Sequence, residues 1–257
     1  MKNLIGLTGP SAFTDDCKKL IEKYLNKNYV LLYHESNNNI LDWMEECESF
    51  IISGGHDIHP SVYQKSITNN NNLSKFDLQR DIKELRIINH AIKNKKPMLC
   101  ICRGHQLLSV FYGMKAEFRS DLTSSKIVHQ PNKLGININK GEPVHKIELI
   151  NTDIFNVKNV NERQTLNTII GEDVENTFWI NSFHHQGIGY NPIGFPYKEN
   201  NINILAVADT DNSKNNIKII ELMSGESWIS CQWHPEWDYE VNSVSKQVVD
   251  TFKKMLK

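Results

Sequence analysis

Apolar residues in the first half of this chain come in short blocks separated by polar stretches with helical spacing. Leu4–Leu7, Tyr29–Tyr33 and Ser49–Ser53 are compact apolar runs, the last ending at Gly54-Gly55. Runs of that length bounded by turn signals predict buried strands. Asp15 to Tyr24 and Ile40 to Cys47 predict helices, and Leu78, Ile82, Leu85, Ile88 and Ile92 recur every three or four residues along a longer one. The lysines between Lys93 and Lys96 place positive charge where a helix C-terminus favours it. A further apolar run from Pro97 stops at Cys102, and Gly104 opens another helix-like segment with Leu107, Leu108, Val110 and Phe111. This alternation implies an α/β fold, an open and mostly parallel sheet with helices on both faces. Ligands of such sheets bind beyond the carboxyl ends of the strands, where Gly54-Gly55 and Cys102 both fall.

The second half is richer in strand patterns, at His145–Ile150, Phe178–Ile180, Ile204–Ala208, Ile217–Met223 and Trp228–Trp233. A last helix, from Val244 to Leu256, gathers Val248, Val249, Phe252, Met255 and Leu256 on one face. No linker or internal repeat interrupts the pattern, so residues 1–257 are expected to form a single domain. Asparagine clusters at Asn37 to Asn39, Asn69 to Asn72 and Asn200-Asn201 read as exposed loops.

Composition narrows the function. The 257 residues suffice for a large core without disulfide staples, and the formal net charge of −1 argues against a general nucleic-acid binder. Five irregularly spaced cysteines do not form a disulfide framework and point to a reducing compartment. Met1 to Leu7 is too short an apolar segment for a signal peptide, and no run approaches the roughly 20 apolar residues of a membrane span. A cytoplasmic protein acting away from membranes and nucleic acids is expected.

A lone cysteine in an apolar run is ordinarily core, and that reading suits Cys100. Cys102 differs. It sits where strand gives way to helix, next to Arg103 and two residues before Gly104, as in turns that hold a nucleophile out of the backbone. The helix N-terminus there favours a thiolate. Far downstream, Trp233-His234-Pro235-Glu236 supplies a base and a carboxylate to orient it. Spacing alone thus offers a Cys-His-Glu nucleophilic set.

Five segments in order carry a family resemblance: Ser53-Gly54-Gly55-His56-Asp57-Ile58-His59-Pro60 with Tyr63; Asp77, Arg80, Asp81 and Glu84; the Cys102 turn; Asn181-Ser182-Phe183-His184-His185-Gln186; and Gln232-Trp233-His234-Pro235-Glu236. Over residues 53 to 236 the chain resembles stand-alone class I glutamine amidotransferase-like hydrolases of the gamma-glutamyl-gamma-aminobutyrate hydrolase type. The resemblance implies the flavodoxin-like fold of that class and hydrolysis of small gamma-glutamyl compounds through a gamma-glutamyl thioester, with no cofactor. Cys102 would attack, His234 would shuttle the proton, and Glu236 would orient the imidazole. Backbone N–H groups of Gly55 and Arg103 would form the oxyanion hole, since a glycine lets the backbone come close. Gly54, Gln106, His184 and Gln186 would hold the glutamyl group. His185 is divided between substrate contact and structural hydrogen bonding. Asp57 is expected to brace its loop, and Asp77, Arg80, Asp81 and Glu84 to form an exposed or partly buried ion-pair stripe on the long helix.

Adjacent histidines such as His184 and His185 seldom converge on one ion, and no Cys-x-x-Cys or His-Glu-x-x-His pattern occurs, so no metal is expected. Two departures from the family stand out. Cys100 replaces a glycine two residues before the nucleophile and threatens to crowd the turn, or to pair with another thiol. Gly113 to Phe118 lacks the usual Gly-Gly pair, so specificity is not copied from a relative. Two other readings stay open: a glutaminase subunit that passes ammonia to a synthase partner, and an inactive homologue that binds a gamma-glutamyl ligand. A homodimer is compatible with the sequence.

Overall fold

The computed structural model describes residues 4–32, 40–63, 76–114, 118–119, 122, 127–150, 177–190, 202–210 and 218–256. Its first half runs β1 (Leu4–Thr8), α1 (Ser11–Lys19, continued in wider turns through Leu20–Leu25), β2 (Asn28–Leu31), α2 (Ile40–Glu46), β3 (Ser49–Ile52), α3 (Leu78–Lys93), β4 (Met98–Ile101) and α4 (Arg103–Phe111). After β5 (Phe118–Arg119) come β6 (His145–Leu149), β7 (Thr177–Ile180), β8 (Gly187–Tyr190), β9 (Asn203–Asp209), β10 (Lys218–Ser224) and β11 (Trp228–Cys231). A single helical turn, α5 (Pro235–Asp238), precedes α6 (Ser243–Met255). The asparagine clusters and the segments Asn69–Ser74 and Gly194–Asn201 lie outside the described residues, as do residues 115–117.

Among the described residues eleven strands join one sheet, ordered β2-β1-β3-β4-β11-β10-β9-β6-β7, with β8 pairing β10 and β5. The expected parallel sheet is present as β2-β1-β3-β4-β11. Beyond β11 every pairing is antiparallel, so the sheet is mixed. The inner parallel strands β3, β4 and β11 are buried on both faces, as continuous apolar runs require, while the edge strand β2 is partly exposed. Their residues alternate between two cores: Leu99 and Ile101 of β4 pack with Leu20, Val248 and Phe252 on one face, while Met98 and Cys100 pack with Ile88, Leu107 and Leu108 on the other. Cys100 is therefore an ordinary core side chain on the face opposite the cluster that includes Cys102, and all five cysteines are free thiols.

Helix α3 is rotated from its predicted orientation. Leu78 and Ile82 are exposed, whereas Arg80, Asp81 and Glu84 are buried with Ile87, Ile88 and Ala91. Asp77 caps the helix by accepting a 3.0 Å bond from the Arg80 N–H. The expected ion-pair stripe, read as exposed or partly buried, is a buried network. Arg80 Nε donates to Glu84 Oε1 at 2.8 Å, and Arg103 from α4 pairs with both Glu84 and Asp81. Two guanidiniums against two carboxylates let the charged face turn inward, because a buried charge is tolerated when it is paired and hydrogen-bonded.

Candidate active site

Cys102 lies between β4 and α4 with φ 51° and ψ −103°, a strained conformation for a residue with a side chain. The strain is held from both sides. Cys102 N donates to the Cys231 carbonyl at 2.8 Å, and Gln106 N donates to the Cys102 carbonyl at 3.1 Å, starting α4. Gly104 allows the helix to sit this close, since a Cβ there would lie 2.3 Å from the Ile52 carbonyl oxygen. The thiol is thereby fixed at the positive end of α4, and the helix's first N–H groups lack intrahelical acceptors.

His234 follows β11, the strand beside β4, so adjacent strand ends deliver nucleophile and base. Its Nδ1 lies 2.7 Å from Glu236 Oε1, which leaves Nε2 as the nitrogen able to serve Cys102. Burial opposes charge on His234, but Glu236 and Cys102 outweigh it and push its pKa up to about 10. The ring stacks on Trp237 at 3.8 Å with planes 4° apart. Asn181, after β7, clamps the base's backbone: the His234 N–H donates to Asn181 Oδ1 at 3.0 Å, and Asn181 Nδ2 donates to the His234 carbonyl at 2.9 Å. The sequence places Asn181 in a motif but gives no sign of this clamp.

Gly54 and Gly55 complete the group. A Cβ on Gly54 would lie 2.8 Å from His234 Cε1 and 3.7 Å from Cys102 Cβ, so that glycine passes between the two reactive side chains. Gly55 has φ +151°, and a Cβ there would strike Arg80 Nη1 at 2.1 Å. Arg80 Nη2 donates to the Gly54 carbonyl at 2.9 Å and to the Ser53 carbonyl at 3.3 Å. The buried network thus grips both the glycine turn, through Arg80, and the start of α4, through Arg103.

Cys102, Gly55, His234 and Glu236 line one cavity of about 240 Å³ with Phe13, Asp16, Lys140, Asn181, Phe183 and Trp237. Gln106, His184 and Gln186 are not in its lining. Gln106 Nε2 donates to the Gln186 carbonyl at 3.0 Å and to Gln232 Oε1 at 3.2 Å, and His184 Nδ1 lies 2.9 Å from the Gln186 carbonyl. All three are buried. His185 Nε2 lies 2.9 Å from Asp57 Oδ1, a structural pairing that braces the loop after Gly55. His129, which sequence reasoning passed over, packs edge-on against His145 and at a tilt against His184 beside Glu221, again outside the cavity lining. No helix among the described residues is long and apolar enough to cross a membrane.

A positioned thiol, an imidazole bound to a carboxylate and an adjoining small cavity are the parts that nucleophilic acyl transfer needs. Comparison with known proteins agrees with that chemistry. Residues 8–236 match the family described as Peptidase C26. The glutamine amidotransferase-like protein YvdE of Lactococcus lactis is 26% identical over 230 residues, covering 89% of this chain and 82% of its own. The gamma-glutamyl-gamma-aminobutyrate hydrolase of Shigella flexneri is 23% identical over 203 residues, 79% of this chain and 69% of its own. In fold, the chain is similar to the glutaminase domain of Trypanosoma brucei CTPS with bound acivicin, at a TM-score of 0.53 and 15% identity over 99% of this chain and 92% of that one.

Proposed function

Because the chain belongs to the Peptidase C26 family, we propose that it is a cysteine hydrolase that cleaves the gamma-glutamyl amide bond of small gamma-glutamyl compounds and releases glutamate. The observation that carries this reading is the strained Cys102 beside a His234 whose Nδ1 is bound by Glu236 at 2.7 Å. The name of the Shigella flexneri relative supports the substrate class. A cavity of about 240 Å³ suits a glutamyl group better than a protein chain.

The site geometry supports the following steps. Cys102 Sγ, its proton resting on the charged His234 ring, attacks the amide carbonyl, and the carbonyl oxygen becomes negative. Backbone N–H groups of Arg103, at the first position of α4, and of Gly55 are the donors assigned to that oxygen. The C–N bond then breaks as His234 hands its proton to the leaving amine, leaving a gamma-glutamyl thioester on Cys102. Water enters, His234 takes its proton, the C–O bond forms, and the C–S bond breaks to release glutamate and the thiol. Throughout, Glu236 orients the ring and stabilises its charged form.

Purified protein and Cys102→Ala, each given gamma-glutamyl amines and glutamine, test the reading by release of glutamate. The expected result is turnover of at least one gamma-glutamyl amine, reduced by roughly 10⁴-fold or more in the variant. Turnover of glutamine alone, stimulated by a synthase, would replace this reading with an ammonia-delivering subunit. Binding without release from any compound would replace it with a ligand-binding homologue.

A further inference from the structure

Outside the catalytic cavity, four buried side chains converge, of which only His184 belongs to a sequence motif and none takes a step in the hydrolytic mechanism. They are His129, His145 at the start of β6, His184 after β7, and Glu221 in the middle of β10. One candidate ligand atom from each lies within 4.8 Å of the others. His145 Nε2 is 3.3 Å and His184 Nε2 is 3.6 Å from Glu221 Oε1. The rings splay around the carboxylate, with His129 4.4 Å from His145 and 5.0 Å from His184 between centroids, at interplanar angles of 62° and 52°.

We infer that His129, His145, His184 and Glu221 form a buried structural site for one zinc ion. Three arguments carry it. First, both Glu221 carboxylate oxygens and the Nε2 atoms of His145 and His184 are buried without a hydrogen-bond partner, and Glu221 is 0% exposed. Burying polar atoms of this kind without a bonded partner is costly in an apolar interior. A cation among them supplies what all of them lack. Second, two of the outer nitrogens are already engaged: His184 Nδ1 meets the Gln186 carbonyl at 2.9 Å and His145 Nδ1 meets the Val128 carbonyl at 3.3 Å, while both ring nitrogens of His129 are buried without a hydrogen-bond partner. An Nδ1–H donated to a carbonyl leaves Nε2 with a lone pair, the usual support behind a metal-bound histidine. Third, donor type and spacing fit the ion. Three imidazoles and a carboxylate make a closed four-ligand set, and tetrahedral zinc places neighbouring ligand atoms about 3.4 Å apart.

The ion would tie four separate segments together. One is the loop that carries the catalytic clamp: Ser182 Oγ and the His184 N–H both donate to the His129 carbonyl, at 2.7 and 3.0 Å, three residues or fewer beyond Asn181. The site thus holds the far side of the segment whose near side fixes His234.

The test is metal content, read without reference to any substrate. The untagged chain is loaded with zinc, desalted and assayed for metal, beside Glu221→Gln, His145→Ala and Cys102→Ala. One zinc per chain, retained by Cys102→Ala and lost from the other two, is the expected result. Cobalt substitution of the wild type should give visible d–d bands without thiolate charge transfer, so the ligands are identified even where a variant fails to fold. Zinc absent from the wild type, zinc lost with Cys102, or a cobalt spectrum carrying the thiolate band would overturn the inference.

Discussion

Glu236 sits two residues after His234, and the half turn of α5 between them brings carboxylate and Nδ1 to 2.7 Å. Pro235 at the first helical position has no N–H to satisfy, which lets the turn start directly after the base. Glu236→Gln keeps the shape and removes the charge, so it isolates the electrostatic part of orientation. We expect kcat/KM to fall roughly 10²–10⁴-fold with the protein still folded. The pH profile separates this from a merely structural effect. His234 is raised from its ordinary value to about 10 against the desolvation that opposes it, so the imidazolium persists across the neutral range. Its contribution to stability is complete below its unfolded value near 6.5 and is lost as pH rises through about 10. The alkaline limb of wild-type activity should therefore lie near 10 and move towards neutrality in Glu236→Gln. An unmoved limb would assign the raised pKa to something other than this carboxylate.

At the level of elements, the buried network between α3 and α4 links fold to site. Glu84 receives Arg80, Arg103 and the Thr8 hydroxyl, the last at 2.7 Å. Burial alone would raise its pKa, but the two guanidiniums and that hydroxyl bring it below the ordinary carboxylate value. Glu84→Gln leaves guanidinium charge uncompensated, so a loss of about 3–5 kcal/mol is expected in urea unfolding at neutral pH. Glu84 contributes stability above its unfolded pKa and loses it as pH falls through the folded value. The variant's stability should accordingly decline less than the wild type's on acidification. Gly104→Ala strikes the same junction from the other side, because its Cβ would meet the Ile52 carbonyl oxygen at 2.3 Å. A cost of roughly 1–3 kcal/mol and a lowered melting temperature are expected.

These elements also show what was readable beforehand. The strands β1, β3 and β4 were legible because continuous apolar runs between turns have few other uses in a chain of this kind. The Cys102 turn was legible because strand, polar break and glycine follow in order. The orientation of α3 was misread because an apolar stripe and a charged stripe share that helix, and only the partner Arg103, on another element, decides which is buried. Strand β8 went unread because Gly187 and Gly189 look like loop residues. The cluster of His129, His145, His184 and Glu221 had no signal as a group, since its members spread over residues 129 to 221 and the antiparallel strands β6, β7, β9 and β10 bring their segments together.

Across the whole molecule, the cavity is a seam between the two halves of the chain. Phe13 and Asp16 come from α1, Cys102 from the parallel strands, and Asn181, Phe183, His234 and Trp237 from segments that follow β7 and β11. Lys140 spans the mouth: its Nζ lies 3.0 Å from Asp16 Oδ2 and 5.4 Å from the centre of the Trp237 ring, the ring on which His234 stacks. The same Asp16 also pairs with Lys19 at 2.9 Å, so the contact is one arm of a surface network and not an isolated bridge. Both lysines are well exposed, which limits what the tie contributes to stability. Its effect belongs on substrate entry, where a small bias in the position of the mouth acts directly. Lys140→Ala should raise KM about two- to five-fold while leaving kcat and the melting temperature near wild type. Salt gives the discriminating measurement, because an exposed ion pair is screened and a packing contact is not. Raising ionic strength should bring the wild-type KM up towards that of Lys140→Ala and leave the variant unmoved. A gap in KM that survives high salt would mean that Lys140 acts through its contact with Trp237, and that the charge of Asp16 has no part in holding the halves together at the mouth.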